Sequence, residues 1–319
     1  MRMRILVTGA AGFVGSHLAE GLAALGHDVV GLDSFTPYYS VGLKELNAGD
    51  LAAKNVPVLR MDLATDDLAP ALADVEMIYH LAAQPGNDVR VPLEAYTRNN
   101  LIATHRLLEA AQEATKLKGF INVSTSSVYG KHATDAEDAV PKPVSYYGVT
   151  KLAAEQLALA YSREGRLPVC SLRLFSVYGE RERPDKLYPL LIRCLLEDKP
   201  FPLFEGSEKH SRSFTYVNDV VAGCVAVLDY FDVCIGEVLN IGSDIEITTG
   251  EGMCIVQEIV GKSVKIERRP PRPGDQLRTH ANIDKARRIL GYHPKTSPRE
   301  GLRAEVAWYR EKVFGKVEI

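Results

Sequence analysis

The sequence predicts an α/β fold in which a doubly wound parallel sheet carries helices on both faces and is followed by a smaller C-terminal lobe. Short apolar runs alternate with helical patterns through the first half of the chain, and a glycine-rich segment follows the first run directly. Strands that are separated by helices lie parallel to one another, with the helices packed on the sheet. Beyond Tyr178, frequent prolines divide the chain into shorter elements, and this change predicts the second lobe.

The predicted strands are the apolar runs at residues 4–7, 28–32, 56–61, 77–81, 120–123 and 169–174. Helical periodicity is clearest at residues 101–111 and 152–161. These elements place a first domain at residues 1–178 and a lobe at residues 179–319. Segments near residues 212–242 are expected to return to the first domain.

The composition is that of an ordinary soluble globular chain, with 319 residues, of which 46% are hydrophobic and 25% are charged. A net charge of −3 and the lack of basic clusters argue against a nucleic-acid partner. Five scattered cysteines without a C-x-x-C pair, and a start that reads as a strand, predict reduced thiols and a cytoplasmic location. The dispersed histidines argue against a metal site, and no run of about 18 apolar residues could span a membrane.

The segment TGAAGFVGSHL, residues 8–18, follows the first predicted strand and carries glycines at positions 9, 12 and 15. A strand that turns into a helix leaves the first N–H groups of the helix unpaired at the positive end of its dipole, which favours a bound anion. Gly9 would permit the tight turn, Gly12 the close approach of a diphosphate, and Gly15 the packing of the helix against the sheet. This pattern predicts a Rossmann-type dinucleotide site.

An acidic residue at the next strand completes that prediction. Asp33 ends the second apolar run, at the distance from the glycines where a carboxylate accepts hydrogen bonds from the adenosine ribose. The same charge would repel a ribose 2′-phosphate. The sequence therefore predicts NAD rather than NADP as the cofactor.

A candidate for proton transfer lies in the segment SYYGVTKLAAEQL, where Tyr147 and Lys151 are four residues apart. On a helix these side chains share one face, and a lysine ammonium group beside a phenol favours the phenolate. The preceding strand ends in hydroxyl side chains that include Thr125, at the sheet edge where ligands bind in open α/β folds. Tyr147 is therefore a candidate general base, and an ordinary amphipathic helix is the alternative.

The order of these motifs resembles the extended short-chain dehydrogenase/reductases that act on nucleotide sugars. The matching motifs are the three glycines, Asp33, Asp62-Leu63, His80-Leu-Ala-Ala83, Asn100, Ser124-Thr125, Tyr147 to Lys151, and Arg173 to Gly179. They cover nearly the whole chain. The combination is specific, although each motif alone is not.

The resemblance implies a role for each motif. Thr125 and Tyr147 would contact the sugar hydroxyl that is oxidised, and Lys151 would hold the nicotinamide ribose. Asp62 and Leu63 would line the adenine, and Lys44 would be a further ribose contact. The other implied cofactor contacts are Gly9, Gly12, Phe13, Val14, Gly15, Leu81, Ala82, Ala83 and Asn100. The nucleoside diphosphate would lie in the C-terminal lobe, gripped by Arg212, Arg272 and Asp275.

The same resemblance implies a homodimer built on the helices that begin near Leu93 and Tyr146. The apolar residues of these helices exceed what one sheet face should need. They are Leu101, Leu107, Leu108, Ala111, Leu152, Leu157, Leu159 and Tyr161.

The residues after Thr125 indicate the reaction. The 4,6-dehydratases of the family carry Asp-Glu there, and the similar UDP-glucuronate decarboxylases carry Glu at the second place, whereas this chain has Ser126-Ser127. Dehydration without an acid or base at these positions lacks its catalyst. Oxidation at C4, rotation of the ketone and return of the hydride to the other face is the simplest remaining chemistry, and it predicts a 4-epimerase.

The segment SVYGERERPDK, residues 176–186, resembles that of UDP-glucuronate 4-epimerases, as does DSFTPYYSVGLK after Asp33. Such an enzyme must hold the sugar carboxylate so that the keto acid keeps its CO2, which hydroxyl groups and one cation can do. The candidates are Ser126, Ser127, Ser176 and Arg183, and the alternative for Arg183 is a solvated loop charge.

Two departures from that group lie near the expected sugar pocket. The segment from Gln84 to Arg90 is one residue short of the usual register, and Lys186 stands where methionine is usual. A UDP-glucose/UDP-galactose 4-epimerase shares every catalytic residue and remains an alternative. A non-catalytic NAD-binding module is a further one, although such modules commonly lose the tyrosine or lysine that this chain keeps.

Overall fold

The strands of this computed structural model, which describes residues 2–86, 90–271 and 276–318, follow the order of the apolar runs. In chain order they are β1 (Arg4–Thr8), β2 (Asp28–Asp33), β3 (Val58–Arg60), β4 (Met77–His80), β5 (Gly119–Thr125), β6 (His132–Ala133), β7 (Val169–Leu174), β8 (Val177–Tyr178), β9 (Phe201–Phe204), β10 (Ser211–Arg212), β11 (Thr215–Tyr216), β12 (Val238–Ile241), β13 (Ile247–Thr248), β14 (Ile266–Arg269) and β15 (Arg278–Thr279).

The helices lie between these strands. They are α1 (Phe13–Ala24), α2 (Val41–Ala53), α3 (Ala69–Leu72), α4 (Leu93–Tyr96), α5 (Ala103–Gln112), α6 (Tyr146–Arg163), α7 (Leu187–Leu196), α8 (Val217–Asp229), α9 (Phe231–Cys234), α10 (Thr249–Val260), α11 (Asp284–Leu290) and α12 (Pro298–Trp308). A π-helical stretch at Thr97–Ile102 joins α4 to α5, and another at Tyr309–Val313 follows α12.

Within the described residues, the large sheet has seven strands in the order β12-β7-β5-β4-β1-β2-β3, and every neighbouring pair is parallel. The predicted doubly wound sheet is confirmed. The strand order reverses at β1, because β2 and β3 lie on one side of it and β4 on the other. This reversal opens a crevice beyond the carboxyl ends of β1 and β4, where Thr8 and His80 are register partners.

Two apolar layers cover the faces of this sheet. The side chains of β1 alternate between them, with Ile5 packed in one layer with α1 and α8, and Leu6 packed in the other with α5 and α6. Both side chains are fully buried. The helices thereby fix the strand ends that border the crevice.

A third apolar cluster forms the C-terminal lobe. It joins α7, α10 and α12 through buried residues that include Leu191, Val256 and Leu302. Short strand pairs complete this lobe, such as β9 with β14. Strand β12 was not among the predicted strands. It has four residues and returns the chain to the edge of the large sheet beside β7.

No helix within the described ranges combines the length and the apolar character that crossing a membrane requires. The five cysteines are free thiols, four of them buried and Cys254 exposed. Among the described residues, no group of three or more His, Cys, Asp or Glu side chains is placed to hold a metal ion.

Candidate active site

A cleft of about 920 Å³ runs from the strand reversal of the large sheet to the C-terminal lobe. It brings most of the predicted site residues together. Those that line it are Gly9, Gly12, Phe13, Val14, Gly15, Asp33, Lys44, Asp62, Leu63, Leu81, Ala82, Ala83, Thr125, Ser126, Ser127, Tyr147, Lys151, Ser176, Arg183 and Arg212. Arg272 and Asp275 lie outside the described residues.

The glycine turn between β1 and α1 has no room for side chains. Gly9 has a φ of +71°, and a Cβ atom there would lie 2.9 Å from the backbone nitrogen of Ala82. A Cβ atom on Gly15 would lie 2.2 Å from the carbonyl oxygen of Gly9, so this glycine lets the helix close onto the turn itself. No side chain caps the start of α1 at Gly12. The first N–H groups of the helix therefore remain available to an anion.

Asp33 closes the other side of this turn. Its carboxylate is buried and accepts hydrogen bonds from the N–H groups of Ala11, at 3.1 Å, and Phe35, at 2.8 Å. Lys44 lies close by and donates hydrogen bonds from Nζ to the carbonyl oxygen and hydroxyl group of Thr36. Burial lowers the pKa of Lys44, and the charge of Asp33 raises it again in part.

A second carboxylate lies at the end of β3. Asp62 accepts hydrogen bonds from the Arg98 guanidinium at 2.7 Å and from the N–H of Ala64 at 2.9 Å. Burial raises the pKa of Asp62, but these two contacts lower it by more, so the pKa of Asp62 lies below its ordinary value. Leu63, which follows, is buried and lines the cleft.

Asn100 is not among the described residues that line the cleft, and its implied contact with the cofactor stays a prediction. It is fully buried, and its Oδ1 accepts a 2.6 Å hydrogen bond from the N–H of Gln84. Its Nδ2 donates to the hydroxyl group of Thr150 on α6. Asn100 therefore holds the segment after β4 against α6.

Two of the predicted catalytic residues, Thr125 and Tyr147, lie close together where β5 ends. Thr125 caps a turn of 3₁₀ helix at Ser126–Tyr129 by accepting a hydrogen bond from the N–H of Ser127. Helix α6 begins after Ser145, whose hydroxyl group accepts a hydrogen bond from the N–H of Gly148. These two caps place Thr125 opposite the first turn of α6, where its side chain forms a hydrogen bond with Tyr147.

Burial raises the pKa of Tyr147 above its ordinary value, and the hydrogen bond with Thr125 and the positive charge of Arg183 lower it in part. Lys151 is buried and donates a hydrogen bond to the carbonyl oxygen of Val123 instead. Its charge is not among the influences on the phenol. The expectation that the lysine favours the phenolate therefore stays a prediction.

Lys151 is held by a buried network behind it. Burial lowers the pKa of Lys151 to about 8, and the charge of Glu155 opposes that shift. Glu155 forms two hydrogen bonds with the guanidinium of Arg173, at 2.7 and 3.0 Å, and both residues are buried. A pair of this kind is strongly destabilised when one partner is removed. The network fixes α6 against β7.

Arg183 is buried in the cleft, so the alternative of a solvated loop charge is wrong. Its Nε and Nη2 atoms each lie 3.0 Å from an oxygen of Asp185, and its guanidinium lies 5.2 Å from the ring centre of Tyr38. Burial opposes its charge, but the carboxylate of Asp185 raises the pKa of Arg183. This pairing uses two of the five N–H groups of the guanidinium.

Arg212 lies on β10 at the lobe side of the cleft. Its Nη2 donates a 2.8 Å hydrogen bond to the carbonyl oxygen of Gln276, which also lines the cleft. The remaining residues predicted for this end, Ser126, Ser127 and Ser176, also line the cleft. The cleft therefore combines a glycine turn, hydroxyl side chains, Tyr147 and the cations Arg183 and Arg212.

The NAD dependent epimerase/dehydratase family matches residues 5–242 of the chain, which include the glycine turn, Thr125, Tyr147, Lys151 and Arg183. This chain belongs to that family. The resemblance stated from the motifs is confirmed, and the family is one of NAD-dependent enzymes.

Two relatives align with this chain over nearly its whole length. A Bacillus subtilis (strain 168) protein described as an uncharacterized UDP-glucose epimerase, YtcB, is 40% identical over 315 residues, 96% of this chain and 98% of its own. UDP-glucuronate 4-epimerase 2 of Arabidopsis thaliana is 35% identical over 330 residues, 96% of this chain and 75% of its own.

The fold of this family member also matches that of a solved epimerase. The crystal structure of UDP-glucuronic acid 4-epimerase from Bacillus cereus, in complex with UDP-glucuronic acid and NAD, has a TM-score of 0.92 and 40% identity. The match covers 97% of this chain and 99% of the other.

The sequence reasoning missed several lining residues of this family member. They include Tyr38, Glu182, Asp185, Leu203 and Phe204. Tyr38 and Glu182 lie inside segments that were singled out as motifs, so their neighbours Lys44 and Arg183 could have pointed to them. Strand β9 reads as a short apolar run, and such a run carries no signal that it borders a cleft.

Proposed function

We propose that this protein is a UDP-glucuronate 4-epimerase that interconverts UDP-glucuronate and UDP-galacturonate with bound NAD. The observation that carries the proposal is the burial of the Arg183 guanidinium in the same cleft as Thr125 and Tyr147. A buried cation beside the reacting hydroxyl suits a sugar acid. The relatives named for this activity support the choice of substrate.

The residues around the glycine turn fit NAD. A dinucleotide diphosphate can approach the backbone closely where a Cβ atom is missing, as at Gly12, and the turn that presents Gly12 has no room for Cβ atoms at Gly9 and Gly15. The carboxylate of Asp33 suits two ribose hydroxyl groups and repels a 2′-phosphate. Lys44 and Lys151 would hold the two ribose units, and Asp62 and Leu63 the adenine. NAD, when bound, accepts the hydride from C4 of the sugar and returns it to the same carbon.

Tyr147 would take the proton of the C4 hydroxyl group and give it back. Burial keeps this phenol protonated, so the base needs positive charge to ionise. Arg183 already supplies part of it, and Lys151 lies one helical turn further along α6. The hydroxyl group of Thr125 orients the phenol toward the sugar. General-base catalysis of this kind contributes about 10²–10⁴-fold.

The sugar carboxylate must be held while C4 is a ketone, because a β-keto acid loses CO2 when its carboxylate bond aligns with the carbonyl π system. Arg183 has N–H groups beyond the two that Asp185 uses, and Asp185 is 54% exposed at its side chain, so it can yield to a substrate. The hydroxyl groups of Ser126, Ser127 and Ser176 would hold the other carboxylate oxygen. This fixed geometry would preserve the carboxylate.

The same serines argue against the other reactions of the family. A dehydratase needs an acid and a base at C5 and C6, and hydroxyl groups at Ser126 and Ser127 have neither the charge nor the pKa for that role. Both residues line the cleft next to Thr125. A 4-epimerase needs only Tyr147 and the cofactor, which is the chemistry that the residues here can perform.

A neutral-sugar 4-epimerase is the second candidate. The relative described as a UDP-glucose epimerase favours it. In the structure, the pairing of Arg183 with Asp185 neutralises the cation that an acidic sugar would need. The two candidates share Thr125, Tyr147 and Lys151, so the sugar end of the cleft decides between them.

The experiment that separates the candidates is a competition of substrates. The purified NAD-loaded enzyme is incubated with UDP-glucuronate, UDP-glucose and dTDP-glucose, and kcat/KM is measured for each. The proposal predicts that UDP-glucuronate is preferred at least about tenfold over UDP-glucose, because a charge-assisted contact contributes about 1.5–3 kcal/mol. A preference for UDP-glucose would instead support the neutral-sugar candidate.

We also propose the division of labour between the two parts of the chain. Residues 1–178, with later segments such as β12 in the large sheet, would bind NAD. Residues 179–319 would mainly bind the nucleotide sugar, with Arg212 on its diphosphate. Titration of the enzyme with UDP alone, compared with an Arg212→Ala variant, would test this assignment. Equal affinity in the two proteins would contradict it.

A homodimer is the proposed assembly, on the helices that the resemblance implied, and five of the eight apolar residues named for them belong to the core of one chain. Leu107, Leu108, Ala111, Leu159 and Tyr161 are buried in the core of one chain. The large apolar side chains that these helical segments expose are Leu93, Ile102, Tyr146 and Val149, each at least 42% exposed. They can pair with a second copy of the same surface. A monomer in sedimentation at micromolar concentration would contradict this proposal.

A cytoplasmic location is the proposed setting, because all five thiols are free and a reducing compartment keeps them so. Cell fractionation with a tagged chain would test it. Recovery of the protein in a secreted fraction would contradict it.

A further inference from the structure

Lys186 lies at the sugar end of the cleft, at a position where methionine is usual in UDP-glucuronate 4-epimerases. It precedes α7, it is exposed, and it lines the cleft together with Glu182, Arg183 and Arg212. Its N–H donates a 3.1 Å hydrogen bond to the carbonyl oxygen of Arg183, which fixes the backbone of the two residues together. The fold of this loop therefore places Lys186 in the cleft.

Within the described part of the chain, the ammonium group of Lys186 forms no hydrogen bond or ion pair with another side chain. Its neighbour Arg183 does, since Asp185 contacts it through two hydrogen bonds of 3.0 Å. A cation that is already paired contributes little net charge to an incoming anion, whereas an unpaired one contributes its full charge. Lys186 therefore adds an unpaired positive charge to this end of the cleft.

The other carboxyl group at this end does not cancel that charge. Glu182 is buried, and its Oε2 has no hydrogen-bond partner among the described residues. Burial raises the pKa of Glu182 to about 8, against the charges of Lys186 and Arg183, so the group is mainly protonated at neutral pH. With Arg183 and Asp185 paired, the sugar end carries one net positive charge.

We propose that Lys186 is a specificity-determining residue that adds to the positive charge matched to the carboxylate of an acidic nucleotide sugar. The inference rests on the proposed function and deepens it: methionine is usual at this position in UDP-glucuronate 4-epimerases, so Lys186 would strengthen the selection of a sugar acid over a neutral sugar that Arg183 provides. Arg183 orients the carboxylate, and Lys186 provides the net charge that attracts it into the cleft.

The charged groups that act most strongly on Lys186 are those that line the same end of the cleft. Desolvation by the cleft walls and the charge of Arg183 lower the pKa of Lys186, while Glu182 and Asp185 raise it. Arg212, at the diphosphate end, has a weaker influence than any of these. A substrate carboxylate would stabilise the ammonium form further.

The test compares three ligands on the NAD-loaded enzyme by calorimetry: UDP, UDP-glucose and UDP-glucuronate. UDP and UDP-glucose share the diphosphate, so the difference between UDP-glucose and UDP-glucuronate isolates the carboxylate. Lys186→Met is expected to weaken the affinity for UDP-glucuronate at least about tenfold, while the affinities for UDP and UDP-glucose change by less than about twofold. Lys186→Arg should restore the affinity for UDP-glucuronate to within about threefold of the wild-type value.

Lys199→Met, which removes an exposed lysine at the other end of α7, is the matched control and should leave all three affinities unchanged. Retained UDP binding in Lys186→Met shows that the variant is folded. Equal losses for all three ligands, or no loss for any, would overturn the inference. If the wild type epimerises UDP-glucuronate and Lys186→Met binds it normally, only the inference fails. If the wild type does not accept UDP-glucuronate, the proposed function fails with it.

Discussion

The ammonium group of Lys151 donates a 2.5 Å hydrogen bond to the carbonyl oxygen of Val123, on the strand that leads to Thr125. The contact ties α6 to the end of β5, so that Tyr147, one turn earlier on the same helix, lies beside Thr125. The lysine acts first as a brace between two elements. A ligand therefore meets the charge of Lys151 at the position that this hydrogen bond fixes.

The pH dependence of turnover should follow Lys151. Burial lowers its pKa to about 8, so the ammonium form is present below that pH and is lost as the pH rises through it. We expect kcat/KM to fall above about pH 8. His80 does not contribute over this range, because burial and the charge of Lys151 lower its pKa to about 3. A rate that stays constant up to about pH 10 would contradict this assignment.

Tyr147→Phe should abolish turnover and leave NAD bound. The substitution removes the proton acceptor but leaves Gly9, Gly15 and Asp33 in place, and loss of a general base costs about 10²–10⁴-fold in rate. Tyr146→Phe is the matched control, because Tyr146 is the neighbouring residue and is 55% exposed. Rates and bound NAD would be measured for both. A Tyr147→Phe variant with more than about a tenth of the wild-type rate would remove Tyr147 from this role.

Gly15→Ala should prevent NAD binding. Its new Cβ atom would lie 2.2 Å from the carbonyl oxygen of Gly9, so the turn that faces the diphosphate must move. Gly49→Ala is the control, since Gly49 also lies in a helix but has open space around its Cβ position. The control should bind NAD normally and be as stable as the wild type or more so, by about 0.5–1 kcal/mol. Normal NAD affinity in Gly15→Ala would show that the turn adapts.

Local patterns allowed the sequence to predict the sheet and the cofactor end of the cleft. The contacts of Gly15 are with Gly9 and Ala10 in the preceding turn of chain, and Asp33 ends an apolar run. Such features depend on spacing, which the sequence displays. The same holds for Tyr147 and Lys151, whose four-residue separation places them on one face of α6.

Contacts between distant segments were harder to predict. The sequence did not show that Asn100 forms hydrogen bonds with Gln84 and Thr150, and its contact with the cofactor stays a prediction. Leu107 and Tyr161 belong to a set of apolar residues that the sequence could not divide between core and dimer surface, because an apolar stripe looks the same whether it faces a sheet or a second chain; both pack in the core. The pairing of Arg183 with Asp185 likewise depends on how the loop folds.

Arg183→Ala should reduce the turnover of UDP-glucuronate much more than any residual turnover of UDP-glucose. Only the acidic sugar loses a charge-assisted contact of about 1.5–3 kcal/mol, which corresponds to about 10–100-fold in kcat/KM. The released carboxylate can then align with the C4 ketone, so UDP-pentose and CO2 should rise relative to the 4-epimer. Arg163→Ala, at an exposed position at the end of α6, is the control. Equal losses on both sugars, with an unchanged product ratio, would refute the carboxylate role.

The most direct test of the central claim is the fate of a deuterium label. UDP-glucuronate that carries deuterium at C4 is incubated with the NAD-loaded enzyme, and the products are identified by NMR. A 4-epimerase returns the same hydride to the opposite face, so the account predicts UDP-galacturonate that keeps the label at C4, without CO2 release or exchange at C5. Failure to form UDP-galacturonate, or its formation with the C4 label lost to solvent, would contradict the account.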